Sequence, residues 1–312
     1  MFAQTLTCNR KEIHYVILVR VAVGIPAYNE HKNIRALLER IVPLVPEIVH
    51  EILVVSSSTN GTDKIVQEYP QATLMHTPRE GKASAWNLLI KEAERQNCQA
   101  LIYLGGDNLP GQNAIPNLLR RLGSNSTRIG IVGARPIPIS RENNFLGWYG
   151  ELQWNIHHLV SERYEPKISG ELCAMRVGVV REIPPAIIND DDYIQGVFAL
   201  RGWQAVYDPT ALVFLQTPKT LDDLIKQRYR IYIGHHQTRF LLGRKPMTIQ
   251  YRSLKLLSEA MPDHTPRSYL YLILSIMIQA YAYLRARVGV IIGDLPYKWK
   301  MAESTKQLQY GM

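Results

Sequence analysis

Residues 101–110 read Leu-Ile-Tyr-Leu-Gly-Gly-Asp-Asn-Leu-Pro: four apolar side chains, two glycines, then a carboxylate. The apolar run predicts a buried strand that ends at a bend, with Asp107 just past its carboxyl end. In open α/β sheets, the crevice beyond the carboxyl ends of the strands is where ligands bind. Paired glycines let another group come close to the backbone. A lone acid there suits a divalent cation or the phosphate side of a ligand. The same residues also suit an ordinary turn in which Asp107 caps the next segment of chain. The choice between them rests on the residues around the stretch.

Upstream, strands and helices alternate. Residues 16–25 are mostly β-branched and apolar, interrupted by Arg20, and read as a first central strand. Ile34, Leu37, Leu38 and Ile41 recur at helical spacing. Residues 51–55 and 72–76 read as further strands, 63–69 and 83–95 as helices, and 101–104 as the fourth strand. This pace argues βαβ units and a mostly parallel sheet with helices on both faces. Downstream, 116–122 reads as a helix and 129–134 as a strand. Residues 141–163 are rich in Trp, Tyr, His and Asn and yield no assignment, and 168–176 reads as a loop running into a strand. Asp190, Asp191 and Asp192 precede a helical stretch to Leu200. Short strands at 205–207 and 211–215 flank Asp208-Pro209, and 221–242 reads as a long basic helix.

Length and composition bound the function. A chain of 312 residues buries a sizeable core in one large α/β domain or two smaller ones. With 46% hydrophobic and 20% charged residues, the bulk is globular rather than disordered. A net charge of +9 suits an anionic partner: a nucleotide phosphate, an anionic membrane surface or a nucleic acid. The basic residues are spread and no nucleic-acid recognition motif is present, which argues against the last. Cys8, Cys98 and Cys173 offer neither metal spacing nor a disulfide framework, so a reducing compartment is expected. Arg10, Lys11, Glu12 and His14 interrupt any secretory h-region. Neither Gly-x-Gly-x-x-Gly after the first strand nor a phosphate-binding Walker loop occurs, which argues against a dinucleotide-binding Rossmann domain and a P-loop NTPase.

Six short motifs then fall in one order. They are Pro-Ala-Tyr-Asn-Glu at 26–30, Ser-Thr-Asn-Gly-Thr at 58–62 and Arg-Glu-Gly-Lys at 79–82 with Asn87. Gly-Gly-Asp-Asn at 105–108, Asp-Asp-Asp at 190–192 and Gln-Arg-Tyr-Arg at 227–230 complete the series. Over about 19–234 the chain resembles the family 2 glycosyltransferases. The resemblance implies the GT-A fold and inverting transfer of a sugar from a nucleotide-diphosphate donor. Pro26, Ala27, Tyr28 and Glu30 would hold the nucleoside, with Glu30 near the base or ribose. Ser56 stands where the family often has an Asp that contacts the base. Arg79 and Lys82 would supply cations to a diphosphate, and Gly81 would permit close approach. A solvated basic turn is the other reading of that loop.

Asp107, after Gly106, matches the last carboxylate of the family's Asp-x-Asp motif, which binds a divalent cation, Mg²⁺ or Mn²⁺, at the diphosphate. Gly105 replaces the motif's first Asp. Counting back from Gly202 puts the family's Glu-Asp pair on Asp190 and Asp191. Asp191 is the expected base for the acceptor hydroxyl, with Asp192 its competitor. Capping and helix-dipole matching are the other reading of the three acids. Gln227 and Arg230 match Gln-x-x-Arg-Trp without its Trp, share one helix face and would meet the diphosphate or the acceptor. A solvated helix is the other reading.

The C-terminal third differs. Residues 268–284 carry no charge and are rich in Leu, Ile and Tyr, with Arg285 and Arg287 just beyond. The run is marginal for a span, and the flanking cations favour a helix lying in the cytoplasmic leaflet of the cell membrane. A helix buried in a homo-oligomer is the alternative. The expected organisation is a catalytic domain over 1–243, its donor half about 16–110 and its acceptor half about 111–243, with a helical region over 244–312. The expected function is sugar transfer to a lipid or glycan acceptor. Its rivals are a nucleotidyltransferase and a non-catalytic nucleotide-sugar binder.

Overall fold

The computed structural model describes residues 20–124, 128–139, 143–243, 253–293 and 305. The first half runs β1 Val21–Ala27, α1 Ile34–Ile41, β2 Glu51–Ser56, α2 Thr62–Gln67, β3 Ala72–His76, α3 Lys82–Arg95 and β4 Ala100–Leu104. The second half runs β5 Leu109–Pro110, α4 Ala114–Leu122, β6 Ile129–Pro138, α5 Phe145–Arg163, β7 Leu172–Arg176, α6 Asp190–Leu200, β8 Gln204–Leu215 and α7 Leu221–Leu242. Two further helices follow among the described residues, α8 Leu254–Ala260 and α9 Pro266–Ile292.

The strands form one eight-stranded sheet in the order β3-β2-β1-β4-β7-β6-β8-β5. β1 pairs in parallel with β2 and β4, and β2 with β3. β7 runs antiparallel to both β4 and β6. Its entrance therefore lies beside the exit of β4, which brings residues from both halves of the chain to one edge.

Burial follows the pleat. In β4, Ala100, Ile102 and Leu104 pack with residues of α1 and α4, while Leu101 and Tyr103 pack with Trp86, Leu89 and Ile90 of α3. Successive side chains of a strand point to opposite faces. With helices on both faces, each face is apolar and the strand reads as an unbroken hydrophobic run. The Trp86 and Tyr103 rings stack at 3.5 Å between centroids.

Three elements differ from the sequence expectation. β1 runs through Pro26 and Ala27, because Pro26 and Ala27 still pair with Val55 and Ser56 of β2; residues 16–19 lie outside the described residues. The two short strands expected around Asp208-Pro209 are one strand. Gly133 pairs with Tyr207 and Arg135 with Leu212, so the intervening residues bulge out. Asp208 Oδ1 closes that bulge by accepting from Thr210 N at 2.9 Å. The aromatic-rich stretch is the 19-residue helix α5, capped by Asn144, whose Oδ1 accepts from Leu146 N and Gly147 N.

α9 packs across α7 and α5. Its buried side carries Ser275, Ile278, Gln279, Ala282, Ala286 and Gly289. Leu270, Ile273, Met277, Leu284, Val288 and Ile291 are exposed on the other side. The helix is long and apolar enough to cross a membrane.

Candidate active site

A cavity of about 520 Å³ opens where the exits of β1 and β4 meet the entrance of β7 and the first turn of α6. Pro26, Ala27, Tyr28, Glu30, Arg79, Gly81, Lys82, Gly106, Asp107, Asp190, Asp191, Asp192, Gln227 and Arg230 all line it. The fold thus gathers these residues from five separate stretches. Ser56 is not among them. It is fully buried, its hydroxyl donates to Asp63 Oδ1, and it lies against Ser58 Oγ at 3.0 Å. It props the turn after β2 instead of facing the cavity.

The β1 exit is held by backbone-directed polar groups. Asn29 sits at φ +58, and its Oδ1 accepts from Thr59 N at 2.9 Å while its own N–H donates to Ser58 Oγ at 2.9 Å. Asn and Asp are the side chains that tolerate this left-handed region best after Gly. Glu30 is 2% exposed and accepts from Asn33 Nδ2 at 3.0 Å, so its carboxylate also anchors the start of α1. Arg79 lies 3.9 Å over the Tyr28 ring and donates to its hydroxyl at 3.2 Å. That stacked pair forms the rim on the expected nucleoside side.

Lys82 departs from a free phosphate-binding cation. Its Nζ is 3.3 Å from Asp190 Oδ2 and 5.2 Å above the Tyr103 ring. Burial works against its charge, but Asp190, Tyr103, Asp191 and Glu171 outweigh it and hold the ammonium well above the ordinary lysine range. Gly170 makes the room: a Cβ there would stand 2.6 Å from Lys82 Nζ. Asp190 is 2% exposed, and burial pushes its carboxyl up against the opposing pull of Lys82.

The three acids therefore differ. Asp191 accepts from Gly170 N at 3.1 Å and from Asp192 N at 2.9 Å, and it lines the cavity. Asp192 turns toward His235, whose Nδ1 is 3.5 Å away. All three occupy the first turn of α6, so the expected match to the helix dipole holds alongside any chemistry. Asn189 docks that turn on α7 by donating to Ile231 O at 3.0 Å. Arg228, on α7, donates to Gln153 Oε1 of α5 at 3.1 Å.

Several cavity residues escaped the sequence reading. Glu171 and Ser169 come from the approach to β7, and Gln216 and Thr217 from the exit of β8. Tyr149, Gln153, Trp154 and His157 come from α5, whose helical character the sequence did not reveal. His157 is 4% exposed, and neither ring nitrogen has a hydrogen-bond partner among the described residues. Burial brings its pKa down to about 3. Of the C-terminal tail, Thr305 also lines the cavity.

A cavity at the strand exits of an α/β sheet, walled by acids and cations, is where ligands bind in this class of fold. Residues 19–234 match the sequence model described as "Glycosyltransferase like family 2", and the chain belongs to that family of glycosyltransferases. It is 23% identical over 243 residues to poly-β-1,6-N-acetyl-D-glucosamine synthases of Staphylococcus aureus, a match covering 73% of this chain and 58% of theirs. The chain thus spans under two thirds of the length of the curated relatives it matches. In fold it resembles a mannosyltransferase from Pyrobaculum calidifontis solved with GDP-Man and Mn²⁺. That pair shares 20% identity and a TM-score of 0.61, with 91% of this chain and 90% of the other covered. It also resembles glucosyl-3-phosphoglycerate synthase from Mycobacterium tuberculosis solved with Mg²⁺ and UDP, at 18% identity, TM-score 0.53, and coverage of 73% and 80%. These confirm the GT-A architecture and its mixed α/β sheet.

Proposed function

We propose that the chain is an inverting glycosyltransferase that moves one sugar from a nucleotide-diphosphate donor to a hydroxyl or phosphate of a lipid or glycan acceptor. The observation that carries this reading is that Asp107 and Asp191 line one cavity together with the Tyr28–Arg79 rim. Solved neighbours of this fold hold GDP-Man with Mn²⁺, or UDP with Mg²⁺.

In this reading the nucleoside lies along Pro26, Ala27, Tyr28 and Glu30, with Arg79 beside the diphosphate. Gln227 and Arg230 approach from α7 and meet the diphosphate or the acceptor. Asp107 and neighbouring carboxylate oxygens are hard donors of the kind that Mg²⁺ and Mn²⁺ take. Among the described residues no three His, Cys, Asp or Glu side chains gather into a protein-only cage. That fits a cation completed by substrate phosphates and water. When bound, such a cation neutralises charge that develops on the leaving diphosphate.

Asp191 is our choice of base for a hydroxyl acceptor. Asp190 is taken by Lys82 and Asp192 turns to His235, whereas Asp191 is oriented by two backbone N–H groups. As the acceptor oxygen bonds to the anomeric carbon, its proton passes to Asp191. The bond from that carbon to the diphosphate oxygen breaks, and the nucleoside diphosphate departs with the electron pair. A phosphate acceptor would arrive already ionised and need less from this residue.

We further assign 1–243 to catalysis and 244–312 to a helical region at the cytoplasmic face of the cell membrane, supported by the exposed apolar side of α9. Asp191→Asn is expected to lower transfer by about 100- to 10,000-fold while nucleotide-sugar binding stays unchanged. Full turnover in that variant would remove Asp191 as base. Release of pyrophosphate in place of a nucleoside diphosphate would replace sugar transfer with nucleotidyl transfer.

A further inference from the structure

Gly105 stands where the family's motif carries its first carboxylate, yet the structure supplies one from across the sheet. β4 and β7 pair antiparallel with Leu104 opposite Leu172, and Gly105 N donates to Glu171 O at 3.0 Å. Glu171 is therefore the residue opposite Gly105. Residues directly opposite in an antiparallel pair share one face, with their Cβ positions close.

Asn108 fixes this exchange. Its Nδ2 donates to Glu171 Oε2 at 3.1 Å and to Glu171 O at 3.2 Å. Asn108 is 2% exposed. A Cβ on residue 105 would stand 2.4 Å from that same Nδ2, so an Asp at 105 would have to displace the amide that holds Glu171. The amide uses one acceptor position of the carboxylate and leaves the rest for another partner. The position that a Cβ on residue 105 would take is 3.3 Å from Asp107 Oδ1 and 2.4 Å from the Asn108 Nδ2 that holds Glu171 Oε2, so these side chains converge on one point. Both line the cavity beside Gly106.

We propose that Glu171 is the second protein carboxylate, with Asp107, on the divalent cation, and that Asn108 is the positioning residue that aims it. This rests on the metal-assisted donor binding proposed above. It makes Gly105 a relocation of the carboxylate rather than its loss. Two protein carboxylates plus substrate phosphates and water is a usual complement for Mg²⁺.

The test is Mn²⁺ uptake by the full chain, read as loss of the free Mn²⁺ electron paramagnetic resonance signal, with GDP or UDP present. Glu171→Gln should weaken uptake by at least the roughly 10- to 100-fold that is lost when a group orienting a metal ligand is removed. Asn108→Ala should weaken it less, and Glu171→Asp should retain part of it. GDP or UDP binding in EDTA should be unchanged in all three, which also shows that they fold. If Asp107→Asn abolishes uptake while Glu171→Gln takes up Mn²⁺ like the wild type, the assignment of Glu171 is wrong and the donor reading stands. If the wild type takes up no Mn²⁺ with either nucleotide, the metal-assisted reading falls and takes this one with it.

Discussion

Lys82 Nζ lies 3.3 Å from Asp190 Oδ2, tying the first residue of α3 to the first residue of α6. The cation that the sequence offers to a diphosphate is thus held among the acids beside the acceptor side. Its place explains why Asp190 tolerates near-complete burial: an isolated carboxylate in that position would be expelled or protonated.

Lys82→Met removes that cation and leaves Asp190 without a partner. Breaking a fully dry pair costs about 3–5 kcal/mol. The Lys82 side chain is 44% exposed, toward the cavity, so solvent screening reduces the expected loss to about 1–3 kcal/mol. Urea unfolding at neutral pH measures it. The deficit should shrink as the pH is lowered, because protonated Asp190 no longer needs the ammonium.

Gln279 joins three helices. Its Oε1 accepts from Tyr232 OH at 2.7 Å on α7, and its Nε2 donates to Tyr149 OH at 2.8 Å on α5. Gln279→Leu removes the partner of the Tyr232 hydroxyl and one hydrogen bond from the Tyr149 hydroxyl, both on cavity-lining residues, at an expected cost of about 1–3 kcal/mol. Because Tyr149 and Tyr232 line the cavity, acceptor KM should rise in the same variant. A denaturation midpoint and a KM measurement check both.

Acid sensitivity follows from His157. Its native pKa of about 3 lies below that of an unfolded histidine, so the unfolded chain binds the extra proton. Stability is therefore lost as the pH falls from about 6.5 toward 3, at about 1.4 kcal/mol per pH unit for one proton. His157→Phe should flatten that limb by up to one proton. Unfolding free energies measured from pH 7 to pH 4 give the slope; an unchanged slope would place the acid sensitivity elsewhere.

The exposed side of α9 gives a membrane test. Ile273 and Met277 are 56% and 63% exposed and lie one helical turn apart. Replacing both by Asp should abolish co-flotation with vesicles containing anionic lipid while nucleotide-sugar binding stays intact. Unchanged flotation would sink the leaflet assignment, and a change from dimer to monomer would favour the oligomer interface instead.

The parallel half of the sheet was legible because each strand is an apolar run between helices with a clean amphipathic stripe, as Ile34, Leu37, Leu38 and Ile41 display. α5 was not legible. It buries Trp148, Tyr149, Leu152, Ile156 and His157 against several neighbours, so no single stripe marks it. β8 was split in reading because Asp208-Pro209 resembles a turn, whereas the ladder absorbs it as a bulge. Family resemblance brought Asp107, Asp191 and Arg230 to one cavity, but it also brought Ser56, which the fold turns inward. Glu171 left no local signal. Its place comes from antiparallel register with a strand nearly seventy residues earlier, and no window of sequence contains both partners.

The reversal of β7 has a consequence for which parts of the cavity wall can change independently. β1 and its neighbour β4 deliver side chains to the cavity as they leave the sheet, but β7, antiparallel to β4, delivers Lys167, Ser169 and Glu171 before entering it. The segment between α5 and β7 is pinned to α6 along its length: Gln195 Nε2 donates to Pro166 O at 2.6 Å, Ile168 N donates to Gln195 Oε1 at 3.0 Å, and Gly170 N donates to Asp191 Oδ2 at 3.1 Å. A change of length there would therefore move Glu171 and the first turn of α6 together, while β1, β2 and β3 keep their register.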